Sequence, residues 1–372
     1  ESNFDIDLSE DFKTTLLLGN QISEIKNSRN TRRAEGLSDI DPMNYDAATN
    51  YFSDRAGSER RIVGLFGDLR FDYKSTLFLS VTGRNDWSST LPKENRSFFY
   101  PSVSLSYLLS ETLKNADALP GFISYAKFRA SYAEVGKDAP PYLGVYYDQP
   151  LDFPFGTVDG YSRETTGASA NLEPEKTKGS EIGTELKFFN NRFGIDLTLY
   201  KQNSENQILP VPVAQTSGFN SFYLNAGEIE TKGIEALVNF SPIRSKDFDW
   251  DLTLNYSKVE TEVLSLPPGI DEIVFADSGF AGVVSRIEVG GSIGDLYGYT
   301  WAYDDNGNRL IGDDGFPSIV ANSTSDRVKV GNAMPDWTGS LQSVFRYKGL
   351  SFSFLIERKQ GGELYDSGQR NS

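Results

Sequence analysis

The sequence predicts an all-β chain, a transmembrane antiparallel β-barrel with long loops. Three observations predict it. Apolar and polar residues alternate with period two, short connections alternate with long ones, and aromatic residues gather near the ends of the alternating segments. In Trp250, Leu252, Leu254 and Tyr256 one face of a strand is apolar, while Asp251, Thr253, Asn255 and Ser257 form the other. A soluble sandwich would have to bury one of these faces, and the second is too polar for a core. A large water-filled barrel needs both, because lipid and lumen alternate along every strand.

Counting that alternation gives about twelve strands. The first two, at 1–8 and 12–26, are carried by FDIDL and by the run through Leu16, Leu18 and Ile22. Strands follow at 60–72 and 75–85, with RIVGLFGDLRF and TLFLSV, and at 97–109 and 125–136, with FYPSVSLSYL and AKFRASYAEV. The pattern resumes at 178–190 and 192–206, in EIGTELKF and FGIDLTLY, and at 224–242, where Ile234, Ala236, Val238 and Phe240 alternate. It closes with 248–262, 335–347 and 350–361. Tight connections fall at Leu8–Phe12, Asp72–Ser75, Asn190–Arg192, Pro242–Asp249 and Tyr347–Leu350, with a looser one at Ser110–Ser124. The others, 27–59, 86–97, 137–177, 207–223 and 263–334, are long. Strict alternation of short and long suits a barrel inserted from one side, whose assembly-side turns stay short. Rings at the strand ends suit the headgroup level: Phe98, Phe99 and Tyr100; Phe188 and Phe189; Phe71 and Tyr73; Trp250; Phe345 and Tyr347.

Composition removes several functions. With 36 Lys and Arg against 52 Asp and Glu, the net charge of −16 opposes a nucleic-acid partner. Neither Cys nor His occurs, which excludes Ser-His-Asp and Cys-His catalysis and nearly all zinc sites. No catalytic residue or cofactor is expected. No apolar run approaches the ~18 residues of a spanning helix, which leaves a barrel open. The chain opens at Glu1 directly on a strand and stops in the hydrophilic DSGQRNS, so an interior piece of a longer protein is expected.

RIVGLFGDLRFDYKSTLFLSVTGRNDWSSTLPKENRSFFYPSVSLSYLLSE, from Arg61 to Glu111, resembles the barrel hairpins of the SusC/RagA family of TonB-linked outer-membrane receptors. The resemblance continues at Lys127–Lys137, Asn171–Leu209, Asn225–Ser257 and Val330–Phe354. Within these segments Gly233 of KGIE offers a backbone freedom denied to other residues as the strand resumes. Pro174 and Pro101 stand where no ladder donor is wanted. Asp68 replaces the family's usual basic residue after LFG, and DWSS at Asp86–Ser89 replaces its DGSS.

The resemblance implies that residues 1–372 are an incomplete barrel domain, twelve of about 22 strands. It further implies a plug, energy from TonB, a SusD-like lipoprotein lid, location in the outer membrane and uptake of an oligosaccharide or a peptide. A surface binding protein or adhesin remains the alternative. Ligand contact is expected from loop aromatics: Tyr142, Tyr146, Tyr147, Phe153, Phe155 and Tyr161, with Trp87, Tyr297, Tyr299 and Trp301. They could equally order the loops. YDDNGNRLIGDDG, at 303–315, spaces Asp304, Asn306 and Asn308 like calcium ligands but lacks the Gly and Glu an EF-hand needs, so a solvated Asn-Gly turn is expected. Residues 263–335 hold ten acids against four bases, which biases the long-loop end against anions.

Overall fold

The computed structural model describes the chain except residues 37–47, 144–147, 151–159, 278–281, 320–326 and 367–372. In chain order, β1 (Ser2–Ser9), β2 (Phe12–Glu35), β3 (Asn50–Tyr73), β4 (Leu77–Ser88) and β5 (Ser97–Leu108) are followed by the short helix α1 (Leu109–Asn115) and β6 (Ile123–Lys137). Three brief strands come next, β7 (Asp148–Pro150), β8 (Tyr161–Arg163) and β9 (Thr166–Ala168), then β10 (Glu175–Phe188) and β11 (Phe193–Glu205). The chain continues with β12 (Ile208–Pro212), β13 (Ser221–Asn225), β14 (Glu228–Arg244) and β15 (Phe248–Ser265). It ends with β16 (Glu272–Asp277), β17 (Val284–Glu288), β18 (Asp295–Gly298), β19 (Val328–Asn332), β20 (Pro335–Tyr347) and β21 (Leu350–Gly361).

Twelve of these strands form one sheet in the order β1-β2-β3-β4-β5-β6-β10-β11-β14-β15-β20-β21. Every neighbouring pair in it is antiparallel, as expected. The tight turns use left-handed residues, Lys74 and Ser75, then Phe189 to Asn191, then Lys348 and Gly349.

Register keeps the two faces apart across the whole sheet. Leu16 opposes Leu69, Leu69 opposes Val81, and Val81 opposes Val103. Farther along, Leu197 opposes Ala236, Val238 opposes Leu254, Leu254 opposes Leu341, and Leu341 opposes Ile356. A slip of one residue would move polar groups onto this face, and on every one of the twelve strands but β5 a charge among them. At the short-turn end the same face carries a ring of aromatics, with centroids 5.9 Å apart for Phe12 and Phe71, 6.1 Å for Phe188 and Phe193, 6.1 Å for Phe193 and Phe240, and 5.4 Å for Trp250 and Phe345. Toward the other end its first charges are Glu24, Arg61, Glu134, Lys178, Lys201, Lys232, Lys258 and Arg358. On β3 the apolar stretch from Tyr73 to Val63 spans ~33 Å of strand, or ~25 Å of height at a tilt of ~40°, the thickness of a barrel's apolar band.

Two expectations change. The aromatic run before Pro101 splits between faces: Phe99 opposes Asn85 on the apolar face and is 60% exposed, whereas Phe98 and Tyr100 oppose Asp86 and Arg84 on the polar face. Only Phe99 can be an interface ring, because neighbours along a strand point to opposite sides. The supposed loop 27–59 is largely strand. β2 and β3 stay paired up to Glu35 and Asn50, and their polar, non-alternating sequence reads as loop because both faces of that stretch meet water.

The remaining long connections contain folded pieces too short to show periodicity: a pair β7-β8, a sheet β12-β13-β9 and a sheet β16-β17-β18-β19. Their apolar residues form two small cores. Val211, Ala226, Val263, Ile273 and Ile287 make one; Leu91, Ala139, Ala168 and Leu172 make the other, with Phe98 packed against it.

Substitution on the two faces has opposite expected outcomes. Leu254→Arg, on the lipid side, costs about 2–4 kcal/mol near the middle of the bilayer. In the intact protein it should sharply reduce the heat-modifiable, folded band on gels, whereas Asn255→Arg on the adjacent polar position should leave that band at wild-type intensity.

Candidate functional site

The polar face owes its order to paired charges. On β4, Arg84 donates to Asp86 (2.8 Å) and to Gln21 of β2 (3.1 Å), and the Tyr100 hydroxyl donates to the same Asp86. On β6, Arg129 donates to both oxygens of Asp196 on β11 (2.7 and 3.3 Å) and to Thr198. On β15, Asp251 accepts from Arg346 of β20 (2.5 Å) and from Ser241 (2.6 Å). These groups face an aqueous space, so each pair contributes little to stability and serves chiefly to fix its partners in place.

Between β6, β10, β11 and β14 the face is hollowed into a recess of about 600 Å³, with Arg129, Glu181, Tyr200, Gln202, Thr231 and Glu235 around it. Glycines make room for its walls. A Cβ on Gly183 would collide with the Arg129 guanidinium, and one on Gly233 would collide with the Tyr200 ring. Gly233 is absent from the residues with left-handed backbone. Its requirement is therefore the close approach of Tyr200, its direct cross-strand partner, and not the backbone freedom expected from sequence.

At the long-loop end, β3, β4 and β6 are latched together through Asp138, which is 5% exposed. Arg60 donates to both of its carboxyl oxygens, through Nε at 2.9 Å and through Nη2; Thr90 donates at 2.9 Å, and Ser88 also donates. Burial pushes this carboxyl up, but the donors from Arg60, Ser88 and Thr90 outweigh it and hold it below the usual aspartate range. Within the β16–β19 sheet, Arg286 stacks 3.7 Å from the Tyr297 ring centre and pairs with Glu272 at 2.6 Å. Burial and the hydrogen bond to Glu288 push the Tyr297 phenol up to about 12. Asp295, 1% exposed, accepts from Lys329 (2.7 Å), Asn332 (2.9 Å) and the Ser292 amide (3.0 Å).

The expected ligand aromatics are not one constellation. Tyr146, Tyr147, Phe153 and Phe155 lie outside the described residues. Tyr142, left-handed at φ 67°, is exposed, and its hydroxyl accepts the Glu59 amide at 3.0 Å. Tyr161 is exposed on β8. Tyr297 is 3% exposed and engaged with Arg286 and Glu288. Tyr299 and Trp301 are exposed nearby in sequence, with Arg327 and Arg309 over their rings at 5.3 and 5.2 Å. Trp87 opposes Val63 on the apolar face, where an interfacial ring belongs. Asp304 accepts from the amides of Asn306 (2.9 Å) and Asn308 (2.8 Å), and Gly307 is left-handed at φ 80°, which makes this segment a tight Asn-Gly turn. The recess and the Asp138 latch were not anticipated. The inward glycines, read together with the polar half of the alternation, were the signal for the recess.

Replacing Asp138 by Asn should loosen the junction by about 2 kcal/mol, the worth of hydrogen bonds to a charged group. Amide exchange at 89–96 and 138–143 measures it. Because the folded-state pKa is depressed, wild-type protection should hold from neutral pH down to about 4 and fall as the pH drops further, while the Asn variant should show no such fall.

Comparison with known proteins identifies this architecture. A family model described as TonB dependent receptor-like, beta-barrel matches residues 1–371. The chain is 30% identical over 368 residues to TonB-dependent receptor P26 of Formosa agariphila, covering 92% of this chain and 36% of that protein. It is 26% identical over 323 residues to TonB-dependent receptor SusC of Bacteroides thetaiotaomicron, covering 82% of this chain and 32% of SusC. The chain thus spans about a third of the length of these curated relatives. A solved structure of the RagAB peptide importer in its closed-closed state superposes with a TM-score of 0.77 at 19% identity, over 97% of this chain and 40% of that one, which is a likeness of fold. The chain belongs to the TonB-dependent receptor β-barrel family, of the SusC/RagA type, and its place is the outer membrane.

Proposed function

We propose that the chain is part of the wall of an active importer that takes up an oligosaccharide or a peptide, with energy delivered through TonB and a SusD-like lipoprotein covering the mouth. The observation that carries this reading is the two-faced sheet: an apolar face in register across twelve strands, bounded at one end by aromatics and at the other by charges, behind which lies a polar wall. An adhesin in water would leave that apolar face uncovered, far beyond the patch size soluble proteins tolerate. The long-loop end faces the exterior, because short turns belong to the side of assembly.

Both edges of the sheet support a larger barrel. β1 and β21 each pair on one side only, and an open edge cannot stand in hydrocarbon, where no water satisfies the backbone. Strands outside residues 1–372 close the ring, toward the expected 22. In this reading the solute is met by the exposed loop rings Tyr142, Tyr161, Tyr299 and Trp301 and by the polar recess. Flat rings suit the faces of sugars or apolar peptide side chains, and Arg129, Glu181 and Gln202 suit hydroxyls or peptide groups.

Uptake of defined oligosaccharides and peptides by a strain lacking the intact gene, restored with full-length variants, tests this. Tyr299→Ala with Trp301→Ala should raise the half-saturating concentration about tenfold, from the loss of ~1.4 kcal/mol of ring contact. A protonophore should stop wild-type uptake. Transport that survives the protonophore, or is equal without the gene, would refute the reading.

A further inference from the structure

The polar wall neutralises the carboxylates along the middle of its strands with bases of its own. Arg70 pairs with Asp68 at 2.6 Å, Arg84 with Asp86 at 2.8 Å, Arg129 with Asp196 at 2.7 Å, Lys187 with Glu185 at 2.8 Å and Arg346 with Asp251 at 2.5 Å. Glu235, at the recess between β6, β10, β11 and β14, is the exception. It has no hydrogen bond or ion pair among the described residues. β14 lies inside the sheet with β11 and β15 on its two sides, and the residues directly across from Glu235 are Thr198 and Ser257. Neither carries charge, and along β14 the same face continues with Gly233 and Leu237.

Register brings a ring and a second carboxylate beside it. Tyr200 is directly across from Glu181 on β10 and from Gly233 on β14, while Thr198, its neighbour on the same face of β11, is across from Glu235. Tyr200 therefore has Glu181 at its side and Glu235 on the diagonal, spacings that long and aromatic side chains bridge. The ring rests over Gly233, where a Cβ would collide with it, and borders the recess. Arg129, the one basic residue among the described residues around the recess, is turned toward the short-turn end. Its donors go to Asp196 and Thr198, and Glu181 lies 3.6 Å from its Nε, beyond hydrogen-bond range. Two carboxylates about an aromatic ring, with the nearby guanidinium already engaged, form a seat for an organic cation.

Resting on the import reading above, we propose that this recess is a subsite for a positively charged group of the cargo, a primary ammonium or a guanidinium, seated on the Tyr200 ring between Glu181 and Glu235. The carboxylates accept its N–H donors, and the ring face attracts its charge. The recess lies beneath the mouth, since Gly179, Gln202 and Thr231 on it are chain neighbours of Lys178, Lys201 and Lys232, the first charges beyond the apolar band. The long-loop end agrees in sign. The ribbon formed by β2 and β3 beyond Glu24 and Arg61 is neutral over residues 24–61, with seven charges of each sign, and the connections 86–97 and 207–223 are neutral too. The other two are acidic: 137–177 holds seven Asp and Glu against three Lys and Arg, and 263–334 holds ten against four. No long connection is net positive, so the field at the mouth concentrates cations above the recess.

The test is uptake from two mixtures by a strain lacking the intact gene, restored with the full-length receptor. One mixture holds short random peptides, amino-terminally acetylated and containing lysine, with the same peptides acetylated on that lysine; the other holds glucosamine oligosaccharides with their N-acetylated forms. Mass spectrometry reads the ratio of cationic to neutral partner lost from the medium. The expected ratio is at least about tenfold in one mixture, the peptides assigning the cation to a lysine side chain and the saccharides to an amino sugar. Glu235→Gln, exposed and free of contacts to lose, should bring that ratio to within about twofold of unity. Unchanged heat-modifiable migration shows that the variant has folded. Gene-dependent uptake with equal loss of both partners overturns the subsite and leaves the importer standing, as does a preference that Glu235→Gln leaves intact. Loss of both mixtures at the same rate with and without the gene overturns the import reading and the subsite together.

Discussion

Hydrocarbon offers no hydrogen-bonding partner to a peptide group, and every other feature of this chain follows from that. Each N–H and C=O that crosses the bilayer must find its mate in a neighbouring strand. Pairing of that kind enforces the pleat, the pleat enforces period two, and period two lets one strand be apolar toward lipid and hydrophilic toward the lumen. The cross-strand series from Leu16 through Leu69, Val81 and Val103, and from Val238 through Leu254, Leu341 and Ile356, is the visible product. Outside the band the constraint is lifted. There β2 and β3 keep pairing with no alternation at all, and the other connections curl into small sheets with cores of a few residues.

That difference explains what could be read from sequence. The twelve strands were legible because the membrane demands the pattern, and Trp250 to Tyr256 shows it undiluted. The ribbon was not legible, since Lys26 to Arg33 meet water on both sides and need obey no period. Nor were strands of three to six residues such as β9, β12 or β17, whose packing is decided by distant partners: Val211, Val263 and Ile287 meet in one core although 76 positions of chain separate the first from the last. Gly233 was noticed for the wrong physical reason, because a sequence shows a missing side chain without showing that Tyr200 needs the space. Phe98 and Tyr100 were misplaced for a related reason: three consecutive aromatics cannot all share one side of a strand.

The polar wall keeps its charges in tethered sets. Arg84 with Asp86 and Tyr100, Arg129 with Asp196 and Thr198, and Arg346 with Asp251 and Ser241 leave the lumen strongly hydrophilic without a large local field of one sign. A surface of that kind offers polar groups that are each easily exchanged for water.

Asp138 gives that end an unexpected mechanical character. One carboxylate ties the base of the ribbon, the end of β4, the 89–96 connection and the start of the segment after β6, and the Leu91–Ala139 core lies beside it. Parts of the rim that a diagram would draw as separate strings are thus spliced at a single knot. Displacing one of them drags the others, so this stretch of the rim would shift as one piece.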